Sequence, residues 1–109
     1  YMLSIFTYVM KDLRVYPEHM KRNLNVTNGL VFSQRVLTAL IEKGLGRQEA
    51  YKMVQRNAMV CWKERTNFLE LLGNDGDVTN VLSKDELVVL FDYNYYTRHV
   101  DEIFNRLDL

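Results

Sequence analysis

The amino-acid sequence predicts an all-α fold, a small bundle of about five to seven helices whose N-terminal helix is the end of a longer bundle helix. Three observations carry that expectation. Apolar residues recur at spacings of three and four, and no stretch alternates convincingly as a half-buried strand would. The segment from Thr27 to Trp62 reads as two helices joined at Gly44-Leu45-Gly46. Residues that stop, start or cap helices stand between the periodic runs, notably Pro17, Gly44 and the pair Ser83 and Glu86.

The first helix runs from the start of the chain. Met2, Leu3, Ile5, Phe6, Tyr8, Val9, Met10 and Leu13 follow helical spacing with no capping residue before them, so the helix reads as cut from a longer one. Ser4, Thr7, Lys11 and Arg14 form only a thin polar strip, which leaves an apolar face that should seek a partner. Pro17 lacks the backbone donor needed inside a helix but suits a first turn, so a short helix is expected from Pro17 to Leu24.

Thr27 or Asn28 is the expected cap of a central helix from Gly29 to Lys43. On that helix Gln34, Arg35, Thr38 and Glu42 share one narrow strip. Leu30, Phe32, Val36, Leu37, Ala39, Leu40 and Ile41 cover most of the circumference, and only Val31 breaks the division. So wide an apolar sector predicts a helix surrounded by others. Gly44 can take the left-handed conformation that ends it.

Gly46 stands at the N-cap of the next helix, with Glu49 three residues on. Ala50, Tyr51, Val54, Ala58, Cys61 and Trp62 form its expected apolar stripe, opposite Lys52, Gln55, Arg56 and Lys63. Thr66 or Asn67 opens a short turn of helix over Phe68 to Leu72, and Gly73-Asn74-Asp75-Gly76-Asp77 reads as a loop facing water. Ser83 and Glu86 have capping-box spacing for a helix from Lys84 to about Phe91. Tyr96, Val100, Ile103, Phe104 and Leu107 place a last helix with one apolar face.

Composition narrows the function classes. A chain of 109 residues suits one core, and 48% hydrophobic residues with a single proline indicate a folded domain. Fourteen basic and fourteen acidic side chains cancel, leaving no net field to attract nucleic acid or an anionic membrane. Cys61 is the only cysteine. That excludes an internal disulfide and a cysteine-rich metal site and fits a reducing, cytoplasmic setting. No apolar run reaches the roughly 18 to 20 residues of a membrane span, and the first residues do not have the pattern of a signal peptide.

Few residues offer chemistry. His19 and His99 are eighty positions apart in the sequence and read as solvated or hydrogen-bonded helix histidines. Cys61 sits on an apolar stripe and reads as core. Asn74-Asp75-Gly76-Asp77 lacks the alternating ligands and closing glutamate of a calcium loop. Lys21-Arg22 and Arg98-His99 are short basic pairs that read as exposed solubilising residues. Phe91-Asp92-Tyr93-Asn94-Tyr95-Tyr96 is the most unusual composition. It suits a ligand wall, or a packed junction in which Asp92 and Asn94 bond nearby amides while the rings pack with hydroxyls outward. No nucleophile with a base, phosphate loop or paired carboxylates is recognisable, so no residue is assigned a catalytic, cofactor-binding or metal-ligating role.

Four blocks resemble the C-terminal region of the bacterial adenylosuccinate lyase family, within the fumarase/aspartase superfamily. They are Tyr16 to Leu24 (YPEHMKRNL), Gly29 to Leu37 (GLVFSQRVL), Gly44 with Arg47, Glu49 and Ala50, and Phe91 to Tyr95 (FDYNY) with Val100, Asp101, Ile103 and Phe104. The third block is similar to argininosuccinate lyase too, and the first and last narrow the assignment. His19 stands where the family usually has asparagine, and Gly46 where a capping serine or threonine is common.

The resemblance implies a carbon–nitrogen lyase of purine biosynthesis. Such an enzyme releases fumarate by β-elimination from adenylosuccinate, giving AMP, and from succinocarboxamide ribotide, without metal or organic cofactor. It implies that the catalytic serine and histidines lie outside this chain, that residues 1–15 end the central bundle domain of a cytoplasmic homotetramer, and that residues 16–109 form the C-terminal helical domain. By the same resemblance Ser33, Gln34 and Arg35 lie in a matched block and can face the rest of the enzyme. The expected partners are the remainder of the lyase chain and its tetramer subunits. The chain alone is expected to be inactive and to self-associate through Tyr1 to Arg14. The other reading is a free-standing helical interaction module of shared ancestry.

Overall fold

Residues 1–108 are described by the computed structural model of the protein. In chain order the helices are α1 (Met2–Lys11), α2 (Pro17–Asn25), a 3-10 turn (Leu30–Phe32) that runs into α3 (Ser33–Glu42), and α4 (Arg47–Glu64). They continue with α5 (Phe68–Asn74), α6 (Gly76–Thr79), α7 (Lys84–Leu90), α8 (Asn94–Thr97) and α9 (Val100–Asn105). No strand occurs among the described residues, so the all-α expectation holds. No helix of the described residues is long and apolar enough to cross a membrane.

Cap chemistry sets most of the boundaries. Gly44 has φ +102°, its N–H donates to the Ile41 carbonyl, and the Leu45 N–H reaches back to the Leu40 carbonyl. These two bonds satisfy the last carbonyls of α3 and turn the chain sharply into α4. At α5 the Asn67 side chain accepts from the Leu69 and Glu70 amides. At α7 both halves of the capping box form, and Lys43 adds an ion pair to Glu86 at 2.6 Å. That pair ties the end of α3 to the start of α7.

The start of α3 differs from the expected cap. Neither Thr27 nor Asn28 offers its side chain to the helix; the Thr27 hydroxyl is buried without a partner among the described residues. Instead Asn28 and Gly29 both take positive φ, at +53° and +92°. The Leu30 and Phe32 amides then donate to the Thr27 and Gly29 carbonyls. A 3-10 turn uses its own i to i+3 bonds, so no side-chain cap is required.

Packing follows from these turns. Val36, Leu37 and Leu40 of α3 join Ala50, Val54 and Cys61 of α4, and Leu82 and Leu87 at α7, in one core. The strip of Gln34, Thr38 and Glu42 stays exposed, as the helical pattern predicts. α5, expected only as a short turn, anchors this core: Phe68 and Leu72 are wholly buried where it meets α4, α6 and α7. Each such side chain contributes about 1.5 to 3 kcal/mol by burial.

The stripe of α4 is rotated from the expected one. The buried residues are Ala50, Val54, Asn57 and Cys61, while Tyr51 and Trp62 remain 53% and 55% exposed. Spacings of four, three and four follow a straight seam, and residues one step beyond it leave the interface.

The expected loop at Gly73 to Asp77 is instead a pinned helix junction, with Asp75 alone separating α5 from α6. The Asp75 carboxylate caps α6 through the Asp77 amide, receives two nitrogens of Arg56 at 2.6 to 3.0 Å, and accepts from the Asn57 amide at 2.6 Å. Asn57 also donates to the Met53 carbonyl, so its buried amide is satisfied. Arg56 reaches Asp77 as well, which raises its pKa further.

Residues 1–26 are exposed throughout. The radius of gyration is 18.7 Å and the extents are 58 × 32 × 24 Å. A compact domain of this length would have a radius of about 13 Å, so the molecule is elongated. A core formed by residues 36–87 accounts for that, because α1 and α2 add length without adding to it.

Burial pushes the Asp75 carboxyl up, but Arg56, Asn57 and the Asp77 N–H together outweigh it and hold the group below its ordinary value. Its contribution to stability is therefore full above the unfolded pKa of about 3.9 and is lost as pH falls through the lower folded value. Asp75→Asn is expected to flatten that acid limb in urea titrations between pH 5 and pH 2, read by far-ultraviolet circular dichroism. Asp75→Ala, which also removes the cap, should cost about 2 kcal/mol at pH 7.

Candidate functional site

The aromatic run from Phe91 to Tyr96 divides in two. Phe91, Tyr93 and Tyr96 gather round Phe32, with ring centroids 4.9, 4.8 and 6.1 Å away. The Asp92 carboxylate accepts from the Asn94 amide, closing the local turn that a helix junction needs. This is the packed-junction reading, with two corrections: the Asn94 side chain makes no such bond among the described residues, and Tyr93 donates to the Asn25 side chain at 2.6 Å and Tyr96 to the Val31 carbonyl at 3.4 Å, so two hydroxyls bond across elements. Burial raises the Tyr93 phenol above its usual range.

Tyr95 points elsewhere and forms a wall. Arg35 and Arg98 both lie over its ring, their guanidinium carbons 3.8 and 3.9 Å from the centroid. Arg35 is held by two backbone carbonyls, donating through Nη1 to Leu90 at 2.6 Å and to Asp92 at 3.2 Å. Arg98 donates to the Tyr95 carbonyl at 2.6 Å. One arginine of α3 thus secures the passage from α7 to α8.

Between these groups lies an open cleft of about 310 Å³. Gln34, Arg35 and Thr38 of α3 form one side, Leu90, Tyr95 and Tyr96 the other, and Glu42 stands at one end. Arg35, an ordinary polar interruption by sequence pattern, is the residue around which the cleft is organised. The signal that could have found it is its position: on a helix of wide apolar face, a long cation at the strip's margin can reach the neighbouring helix end.

The other candidates do not converge. His19 lies against Tyr16 with centroids 5.7 Å apart, and His99, at the N-cap of α9, is 3.4 Å from Glu102 of that helix. Lys21 and Arg22 are exposed on α2. Among the described residues no cluster of histidine, cysteine or carboxylate groups is arranged to hold a metal. Cys61 is buried with its sulfur 3.0 Å from the Thr66 carbonyl, and burial raises its thiol above its usual value, so it packs as core and is a poor nucleophile.

Comparison with known proteins complements this geometry. A sequence model described as adenylosuccinate lyase C-terminus matches residues 29–107. An adenylosuccinate lyase of Thermotoga maritima is 51% identical over 108 residues, covering 99% of this chain and 25% of that protein. The enzymes of that name from Bacillus subtilis and Streptococcus mutans are 49% and 46% identical over 109 residues, covering all of this chain and 25% of each. The chain thus spans about a quarter of the length of these curated relatives.

Gly29 gives the aromatic junction its close approach. A β-carbon there would lie 3.0 Å from the Phe91 ring, on a backbone that L-residues rarely adopt. Gly29→Ala should therefore destabilise the protein by about 2 kcal/mol in urea unfolding, with the loss of near-ultraviolet aromatic dichroism marking the displaced junction.

Proposed function

This chain belongs to the adenylosuccinate lyase family, and from that membership we propose that it serves as the C-terminal helical part of such an enzyme. The observation that carries this reading is identity of 46 to 51% extending over nearly all of the chain while spanning only about a quarter of each relative. In the whole enzyme the reaction is β-elimination. Fumarate leaves adenylosuccinate to give AMP, and leaves succinocarboxamide ribotide in the same way. A serine takes a proton from the succinyl group and a histidine protonates the departing nitrogen, both from segments outside this chain. Fixed hydrogen-bond donors stabilise the charge that builds on the succinyl carboxylate.

Within that enzyme residues 1–15 end the central bundle and residues 16–109 form the terminal helical domain. The exposed apolar side chains of α1, among them Leu3, Phe6 and Val9, contribute nothing to the core of the chain and support a packing partner for this helix in the whole enzyme. Their partners are the neighbouring helices of a cytoplasmic homotetramer. The role of the chain is structural: it presents a rigid helical unit to the rest of the enzyme.

Two measurements test this reading. The purified chain incubated with adenylosuccinate should release no fumarate above background, and release above background overturns the structural role. Static light scattering at micromolar concentration should show association of the isolated chain, reduced to monomer by the double substitution Leu3→Asp, Phe6→Asp. A monomeric parent would mean that α1 does not present a free interface.

A further inference from the structure

We propose that the cleft between α3 and α8 binds an oxyanion, a carboxylate or phosphate group, on the free edge of the Arg35 guanidinium. A guanidinium has five N–H donors in a rigid fork, and Arg35 uses only Nη1, toward the Leu90 and Asp92 carbonyls. Among the described residues Nε and Nη2 make no hydrogen bond and no carboxylate pairs with Arg35. The fork is already oriented by those two carbonyls and by the Tyr95 ring, so little rotamer freedom remains to be lost on binding.

Charge points the same way. Arg98 approaches the same ring to 3.9 Å and also lacks a carboxylate partner among the described residues. Arg98 does not line the cleft, but its charge lies within about one Debye length of Arg35, some 8 Å at physiological salt, and so adds to the positive potential at the Arg35 end. Gln34 and Thr38, one face of α3, line the cleft beside Arg35. Glu42 is two turns further along, roughly 10 Å by helical rise, and confines the anion to the Arg35 end. The same chemistry has two sources: a free small anion, or an aspartate or glutamate side chain from another segment of a longer lyase polypeptide.

Arginine footprinting separates them. The rate of Arg35 modification by phenylglyoxal is read by mass spectrometry in the full-length lyase and in this chain, after circular dichroism confirms that the chain is helical. Arg47, exposed on α4, is the internal control. Inorganic phosphate or succinate at ~20 mM should slow Arg35 about fivefold and leave Arg47 unchanged, as expected for a site with millimolar affinity. Gln34→Glu, which adds a negative charge without touching the bonds that hold Arg35, should abolish that protection. A side-chain occupant shows instead as slow modification of Arg35 in the full-length protein alone, without added anion, restored by ~1 M sodium chloride. Equal rates under all conditions, or equal protection of Arg47, would overturn the site.

Discussion

The chain reversal at Gly44 is the constraint on which the rest of the structure depends. Two bonds, from Gly44 to the Ile41 carbonyl and from Leu45 to the Leu40 carbonyl, end α3 and send α4 back beside it. Only after that reversal do Val36 and Leu40 share a core with Ala50 and Val54. A left-handed residue is needed at this point, and glycine is the residue that takes it without steric cost. With α3 and α4 paired, their exposed apolar seam is what α5 and α7 cover.

A second level of order comes from polar groups. Asn57 lies on the buried stripe of α4, where an unsatisfied amide would be destabilising, and its two bonds to Met53 and Asp75 remove that cost. Asp75 in turn gathers Arg56 and Asn57 of α4 and the first turn of α6, so one carboxylate ties these two helices together at the end of α5. Lys43 and Glu86 act similarly at the other end of the core, and there the lysine ammonium, followed by the Ser83 amide, holds the glutamate below its usual pKa. Hydrophobic burial supplies most of the stability, while these contacts set the angles at which helices meet.

Family membership and geometry address different scales. Identity to adenylosuccinate lyases covers the chain from end to end, and the turn at Gly29, the start of α3 and most of the aromatic junction lie in blocks that carry the resemblance. None of these supplies a nucleophile beside a base, which is consistent with a structural place in a larger enzyme. Gln34 and Arg35 of the polar strip of α3 belong to the Gly29 to Leu37 block. Arg35 joins α7 to α8 through Nη1 and leaves the rest of its donor fork uncommitted among the described residues.

Most features governed by near neighbours were legible in the amino-acid sequence. The all-helical class, the stop at Gly44, the cap at Asn67, the box of Ser83 and Glu86, and the core role of Cys61 follow from spacing and from bonds spanning a few residues. The family was legible as well, because its blocks are contiguous stretches of sequence. Tertiary structure alone decided the rest. It turned the polar segment at Asp75 into a pinned joint, placed Asn57 rather than Trp62 at the interface, replaced a side-chain cap with the left-handed pair Asn28 and Gly29, and brought Arg35 to a ring sixty residues away in sequence. These outcomes depend on which faces meet across long loops of chain, and periodicity constrains a face only to within a residue or so on either side.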